Sequence, residues 1–271
     1  MKRLIPRKKT PTAEVSLITS DEGPFKTRSL AKYFPALDPE KLRRMAAEMS
    51  LTRFKRGSRV LADPRSANDV LLVLSGAIAV TWHQDKTNQV LVTLLAPGEM
   101  FGVSSSLPPE LAQGLRGYAF INSVIATIDS KKLLDILLGV ELAAFKAATE
   151  ITMGWSFNTL LRYVRMFRLL PRDRLVIALL EMGAKFGVRD SRGLILNLPI
   201  TQNDLANLLG ASRQTVNTDL GHLVKLGAVI NLRRPIVLIP EKLFALIDDS
   251  GIYHHSNPVK ISADQVVSAL D

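Results

Sequence analysis

The spacing of apolar positions changes along the chain, and each change marks a different kind of structure. Leu30, Tyr33, Phe34 and Leu37, followed by Leu42, Met45 and Met49, recur at helical intervals. Between these groups Asp38-Pro39 predicts a helix start, with Asp38 as cap and Pro39 in the first turn. From Leu51 to about Ile128 the texture becomes short β-rich runs at 70–74, 77–82, 90–95 and 118–128, punctuated by Gly57, Gly76 and Gly98 and by Asp85-Lys86-Thr87-Asn88. Short strands at that spacing predict an antiparallel barrel or roll. Helical spacing returns from Asp129 to Leu170, and Pro171 ends or interrupts it. Beyond it the pattern predicts a helix over 175–186, a turn and a strand over 187–198, and helices over 201–209 and 212–226. A small hairpin of 229–232 and 236–239 follows, joined through Arg233-Arg234-Pro235.

Within the long helical stretch, Met153, Phe157, Leu160, Val164 and Phe167 form a heptad-like seam, with Arg162, Arg165 and Arg168 off it. Such a seam suits either a helix packed on its own domain or a two-stranded interface between copies of the chain. The fold class is therefore α+β. A basic, proline-containing arm occupies 1–28, a β-roll domain 29–140 and a long helix 141–170. A mixed domain follows at 171–250, then a polar tail at 251–271.

The stretch from Leu198 to Leu220 carries the most specific pattern. Thr201 can cap a helix, with Asp204 as its box-like partner, and Leu205, Ala206, Leu208 and Leu209 supply an apolar face. Gly210 permits a tight turn, Ser212 caps a second helix, and Val216, Leu220, Leu223 and Leu226 face the core at helical spacing. This leaves Arg213, Gln214, Asn217 and Thr218 outward, near the N-terminal end of the second helix. Arginine can pair bidentately with guanine, and glutamine or asparagine with adenine, in the major groove. Arg233 and Arg234 in the hairpin, with Lys225, are candidates for phosphate contacts.

Composition narrows the remaining choices. The chain has 271 residues, 47% of them apolar, enough for two modest cores. Its net charge of +10 favours phosphate-bearing partners, and the capped helix pair with its basic hairpin makes double-stranded DNA the expected one. The absence of cysteine excludes disulfides, thiolate metal sites and cysteine-bound iron–sulfur clusters. No apolar run reaches membrane-spanning length, and the basic start lacks the apolar stretch of a signal peptide. A cytoplasmic protein with no membrane partner is expected. There is no nucleophile–base set, metal cluster or Walker-type loop, so no enzymatic activity is expected.

Ser212-Arg213-Gln214-Thr215-Val216-Asn217-Thr218 resembles the recognition helix of the CRP/FNR family of bacterial transcription regulators, and the likeness runs from about Leu30 to Ile247. The family favours Ser-Arg-Glu-Thr-Val, then a small residue and arginine. Arg213 keeps the first arginine, while Gln214 replaces the glutamate and Thr218 the second arginine. The resemblance implies a homodimer joined along the 153–167 seam, a long dimerisation helix, a C-terminal winged helix-turn-helix and a non-standard DNA target. Activation would also need a contact with RNA polymerase, whose residues the sequence does not mark.

The β-rich region is similar to the family's cyclic-nucleotide-binding-like sensor roll through Phe54-Lys55-Arg56-Gly57, Leu74-Ser75-Gly76-Ala77 and the segment from Leu95 to Gly102. In members that bind cyclic AMP, Gly-Glu-Leu, a short helix and Arg-Ser-Ala form a phosphate cassette. Here Gly102 keeps the glycine, Val103 stands for the glutamate, Ser104 follows, and Arg116 is aligned with the arginine. The family's adenine contacts on the long helix align with Leu160 and Leu161, with Thr159 one position away. The candidate effector pocket is thus Gly102, Val103, Ser104, Arg116, Thr159 and Leu160. Its departures disfavour a cyclic nucleotide and leave three readings open: a roll gated by a small effector, an effector-independent regulator with a scaffold roll, or a sensor or interaction module with a vestigial DNA-binding segment. His83, the histidine of the roll, reads as a surface residue rather than a haem ligand, and His254-His255 as an exposed pair rather than a metal site.

Overall fold

Asp38 starts a helix as its position predicts. Its Oδ1 accepts from the Glu40 and Lys41 amides at 3.0 and 2.9 Å, and Pro39 opens α1 (Pro39–Glu48). The structure, a computed structural model, describes residues 16–17, 30–31, 34, 37–61, 68–83, 89–102, 114–138, 169–230 and 235–248. The chain divides into two units near residue 161. The seam residues Met153, Phe157, Leu160, Val164 and Phe167 lie outside the described residues.

The first unit is built on two antiparallel sheets. One orders its strands β1 (Ser16–Leu17), β2 (Ser50–Phe54), β9 (Ser123–Asp129), β4 (Asp69–Ser75) and β7 (Met100–Gly102). The other orders β3 (Arg59–Leu61), β8 (Leu115–Ala119), β5 (Ile78–His83) and β6 (Gln89–Leu95). The run Val70-Leu71-Leu72-Val73 is buried throughout because β4 is covered on both faces. Val70 and Leu72 join Leu42, Met45, Ala126 and Ile136 beneath α1 and α2 (Ser130–Leu138), whereas Leu71 and Val73 join Ile78, Val80, Leu95 and Ile125 inside the roll. Alternation along a strand thus divides one apolar run between two cores.

The run expected as one strand over 118–128 is two strands in different sheets. The corner between them is set by distant partners. The Arg56 amide donates to Asn122 Oδ1 at 2.9 Å, the Ala77 amide to Ser123 Oγ at 3.1 Å, and the Phe120 amide to the Ala77 carbonyl at 2.8 Å. Gly76, at φ 90°, lets the chain pass this corner. A Cβ there would meet Ser123 Oγ and lie 2.5 Å from the Asn122 carbonyl oxygen and 2.7 Å from Ser123 Cα.

In the second unit Pro171 takes the first turn of α3 (Pro171–Phe186), whose Leu175, Val176, Ala178, Leu179, Leu180 and Met182 are buried. The stretch expected as a turn and one strand is a hairpin of β10 (Gly187–Asp190) and β11 (Gly193–Leu196). Asp190 Oδ1 closes its turn by accepting from the Arg192 amide at 3.0 Å and from Arg192 Nε at 2.7 Å. β12 (Ile236–Leu238) pairs with β11, so the expected small hairpin is part of a larger sheet. Its other arm touches β12 through the Val229–Leu238 bridge, with the Ile230 amide donating to the Val237 carbonyl at 2.9 Å. Helices α4 (Gln202–Leu209), α5 (Arg213–Lys225) and α6 (Pro240–Asp248) complete the unit.

Candidate nucleic-acid interface

Local chemistry fixes both ends of α4 and the start of α5. Thr201 Oγ1 accepts from the Asp204 amide at 3.1 Å, while Asp204 Oδ2 accepts from the Thr201 amide at 2.8 Å and from its hydroxyl at 2.7 Å. This reciprocal cap satisfies amides that the helix leaves unpaired. Gly210 then turns left-handed at φ 61°, and the Ala211 amide donates to the Ala206 carbonyl at 3.0 Å. Ser212 Oγ accepts from the Thr215 amide at 3.0 Å and opens α5. Leu205, Ala206, Leu208, Leu209, Val216, Leu220 and Leu223 are buried beneath this pair. Leu226 departs from the expected core stripe and is 43% exposed. The helix ends there, Gly227 reverses the chain at φ 66°, and Ala228 and Val229 fill the core instead.

Arg213, Gln214, Asn217 and Thr218 share the exposed face of the first turns of α5. Lys225 is also exposed but lies about 10 Å beyond Thr218 along the axis, at 1.5 Å per residue. Thr201 and Ser212, named as candidate DNA contacts, have their hydroxyls engaged in the caps, so they position the helices. Arg233 and Arg234 lie outside the described residues.

Two side chains in this region escape a sequence reading. Gln202 Nε2, from the first position of α4, donates to Asn217 Oδ1 at 2.9 Å. Arg174 Nε donates to the Leu169 carbonyl at 3.0 Å and Nη1 to the Leu209 carbonyl at 2.9 Å. It thereby ties the segment entering α3 to the last residue of α4. Both contacts depend on how helices cross, which no local spacing encodes. Asp219 on α5 is half-buried, and burial raises its carboxyl above the ordinary value while Arg172 and His222 oppose that rise.

Two of the effector candidates, Gly102 and Arg116, fall among the described residues. Gly102 ends β7, paired with Val70, and Val103, Ser104, Thr159 and Leu160 lie outside the described residues. Arg116 does not face the roll core. Strand parity sends Leu115 and Ala119 inward, and Arg116 stands opposite Thr81 on the other face. There Thr81 Oγ1 and His83 Nε2 are 3.0 Å apart, and the His83 and Tyr118 rings lie 6.4 Å apart. Burial, then Arg116 and Arg59, hold the His83 imidazole below its ordinary value. Among the described residues no acidic or histidine cluster suits a metal ion, and no helix is long and apolar enough to cross a membrane.

Residues 173–246 match the family model of the Crp-like helix-turn-helix domain. A CRP-like cAMP-activated global transcriptional regulator of Mycobacterium tuberculosis is 24% identical over 220 residues, covering 78% of this chain and 93% of that protein. The global nitrogen regulator of Synechococcus elongatus is 26% identical over 182 residues, covering 65% of this chain and 79% of that protein. Among solved structures, FixK2 from Bradyrhizobium japonicum superposes with a TM-score of 0.61 at 19% identity, over 73% of this chain and 96% of that one. The capped helix pair, the antiparallel roll and these relatives agree: residues 173–246 form a Crp-like helix-turn-helix domain, and the chain is similar to transcription regulators of the CRP/FNR type.

Proposed function

We propose that the protein regulates transcription as a homodimer that reads duplex DNA with Arg213, Gln214, Asn217 and Thr218. The observation that carries this reading is the placement of these side chains on one exposed face of a helix capped at Ser212. That helix is braced from behind by a second capped helix. The 153–167 seam and the family's habit support the dimer, which would set two such helices one DNA turn apart. Arg213→Ala should reduce discrimination between a selected duplex and its single-base variants by about 1–3 kcal/mol at one position. Site selection from a random duplex library, followed by competition binding, measures this. Unchanged selectivity in the variant would sink the assignment. A monomer at micromolar concentration would sink the dimer.

The roll does not take cyclic AMP in the family's manner, although the Mycobacterium tuberculosis relative is named for activation by it. This reading is supported by Arg116, whose side lies away from the roll core, and by Val103, Leu160 and Leu161 at the aligned polar positions. A polar ligand whose donors stay unpaired loses affinity steeply. DNA binding measured with and without cyclic AMP should be the same. A rise in affinity on adding the nucleotide would overturn this reading. An effector-independent regulator is the second reading, favoured by the same departures.

A further inference from the structure

An exposed asparagine is an ambiguous reader. Its amide torsion is broad and close to two-fold, so a flip exchanges donor for acceptor with little steric cost. Facing a groove, one orientation accepts from adenine N6 or cytosine N4, and the other donates to guanine O6 or N7 or to thymine O4. Asn217 does not stand alone, because Gln202 Nε2 donates to its Oδ1 at 2.9 Å. Gln202 is half-buried at the first position of α4, directly after the Thr201 cap and two residues before Asp204, which closes that cap. The Asn217 oxygen is therefore held toward α4, and the NH2 is the end left to meet a partner. The bidentate adenine contact would require the same oxygen to accept again from N6.

We infer that Gln202 is a specificity-positioning residue: by engaging Asn217 Oδ1 it commits Asn217 to donate to a base acceptor and to disfavour cytosine. Cytosine offers only a donor in the major groove. The inference rests on the reading that α5 enters that groove.

The test uses the full chain and a duplex chosen from a random library, with each base placed in turn at each position of the site. Wild type should disfavour cytosine at one position by roughly fivefold, the scale of one hydrogen bond. Gln202→Ala should reduce that ratio to under about twofold there and leave the other positions unchanged. Its melting curve should overlay that of wild type, since the cap residues are untouched. Gln202→Glu, whose carboxylate accepts from the Asn217 NH2, should turn Oδ1 outward and raise cytosine and adenine relative to guanine at the same position. The added charge weakens binding to every duplex, so only ratios are read. In an Asn217→Ala background, Gln202→Ala should change nothing further. The proposal is overturned if Gln202→Ala leaves every ratio intact, lowers binding equally on all duplexes, or acts as strongly without Asn217. If Arg213→Ala also kept full selectivity, the groove assignment itself would fall. Loss of selectivity in Arg213→Ala with none in Gln202→Ala would remove only the role of Gln202.

Discussion

Thr201→Ala tests whether the helix pair is held by its cap or merely by its apolar face. The substitution deletes a hydroxyl that accepts from the Asp204 amide and donates to Asp204 Oδ2. Loss of the cap bond costs about 1 kcal/mol. Asp204 is only 4% exposed, so its carboxylate cannot easily replace the lost donor with water. A hydrogen bond to a charged group contributes about 1.5–3 kcal/mol, and the lower end applies because the Thr201 amide still donates to Oδ2. The sum is about 2.5 kcal/mol. At about 4–8 °C per kcal/mol for a domain of this size, melting of the second unit should fall by roughly 10–20 °C. Thr201→Ser keeps both bonds and should cost about 0.5 kcal/mol or less. Trp82 lies on β5 of the first unit, so its indole fluorescence, read in a Trp155→Phe background, follows that unit while calorimetry follows both. The calorimetric transition should shift and the indole transition should not. An alanine variant within about 0.5 kcal/mol of wild type, or a serine variant as damaging as alanine, would refute the reasoning.

Other substitutions probe single terms. Gly76→Ala combines left-handed strain of about 1–2 kcal/mol with overpacking of about 1–3 kcal/mol against the Asn122–Ser123 backbone. Gly210→Ala has open space around its Cβ and should show the strain alone, about 1–2 kcal/mol by urea unfolding. His83 has a folded pKa depressed below 6.5. The stability linked to it is therefore present above that pH and is lost as pH falls through the folded value. Urea midpoints at about pH 7.5 and 5.5 should diverge less in His83→Gln than in wild type; equal slopes would exclude the effect. Arg174→Ala should destabilise the second unit by about 2 kcal/mol by removing its bonds to the Leu169 and Leu209 carbonyls. Arg174→Lys, which cannot span both carbonyls, should recover at most half of that loss in thermal melts.

The helix pair was legible because its determinants are contiguous. The cap at Thr201, the acid at Asp204, the turn at Gly210 and the cap at Ser212 each act on neighbours a few positions away. The roll was legible in kind and not in detail. Its corner at Phe120–Asn122 is imposed by Arg56 and Ala77, so the apolar run from 118 to 128 reads as continuous when it is not. Arg116 shows a sharper limit. A strand position shifted by one changes faces, and a motif with a single matching arginine cannot fix that parity. Leu226 failed for a third reason, because helical spacing persists past the residue where the helix stops. Gln202 and Arg174 act across helix crossings and have no signature in sequence at all.

The proposed reading face carries one cation, Arg213, beside two amides and a hydroxyl. Where the family has a second arginine, Thr218 offers no Coulombic attraction to phosphate or guanine, and Gln214 brings two opposite polar ends in place of a carboxylate. Attraction to the DNA backbone is non-directional and tolerates a degree of helix tilt, but an amide hydrogen bond does not. Discrimination on this face therefore depends on orientation more than on charge. The groups that set orientation are Thr201 and Asp204 at one helix start, Gln202 against Asn217, and Ser212 at the other start. Loosening them should erode selectivity before affinity. Thr201→Ala, assayed well below its melting temperature, should bind non-specific duplex as wild type does while its preference for the selected site narrows. Equal losses on both duplexes would mean that charge, and not orientation, governs recognition.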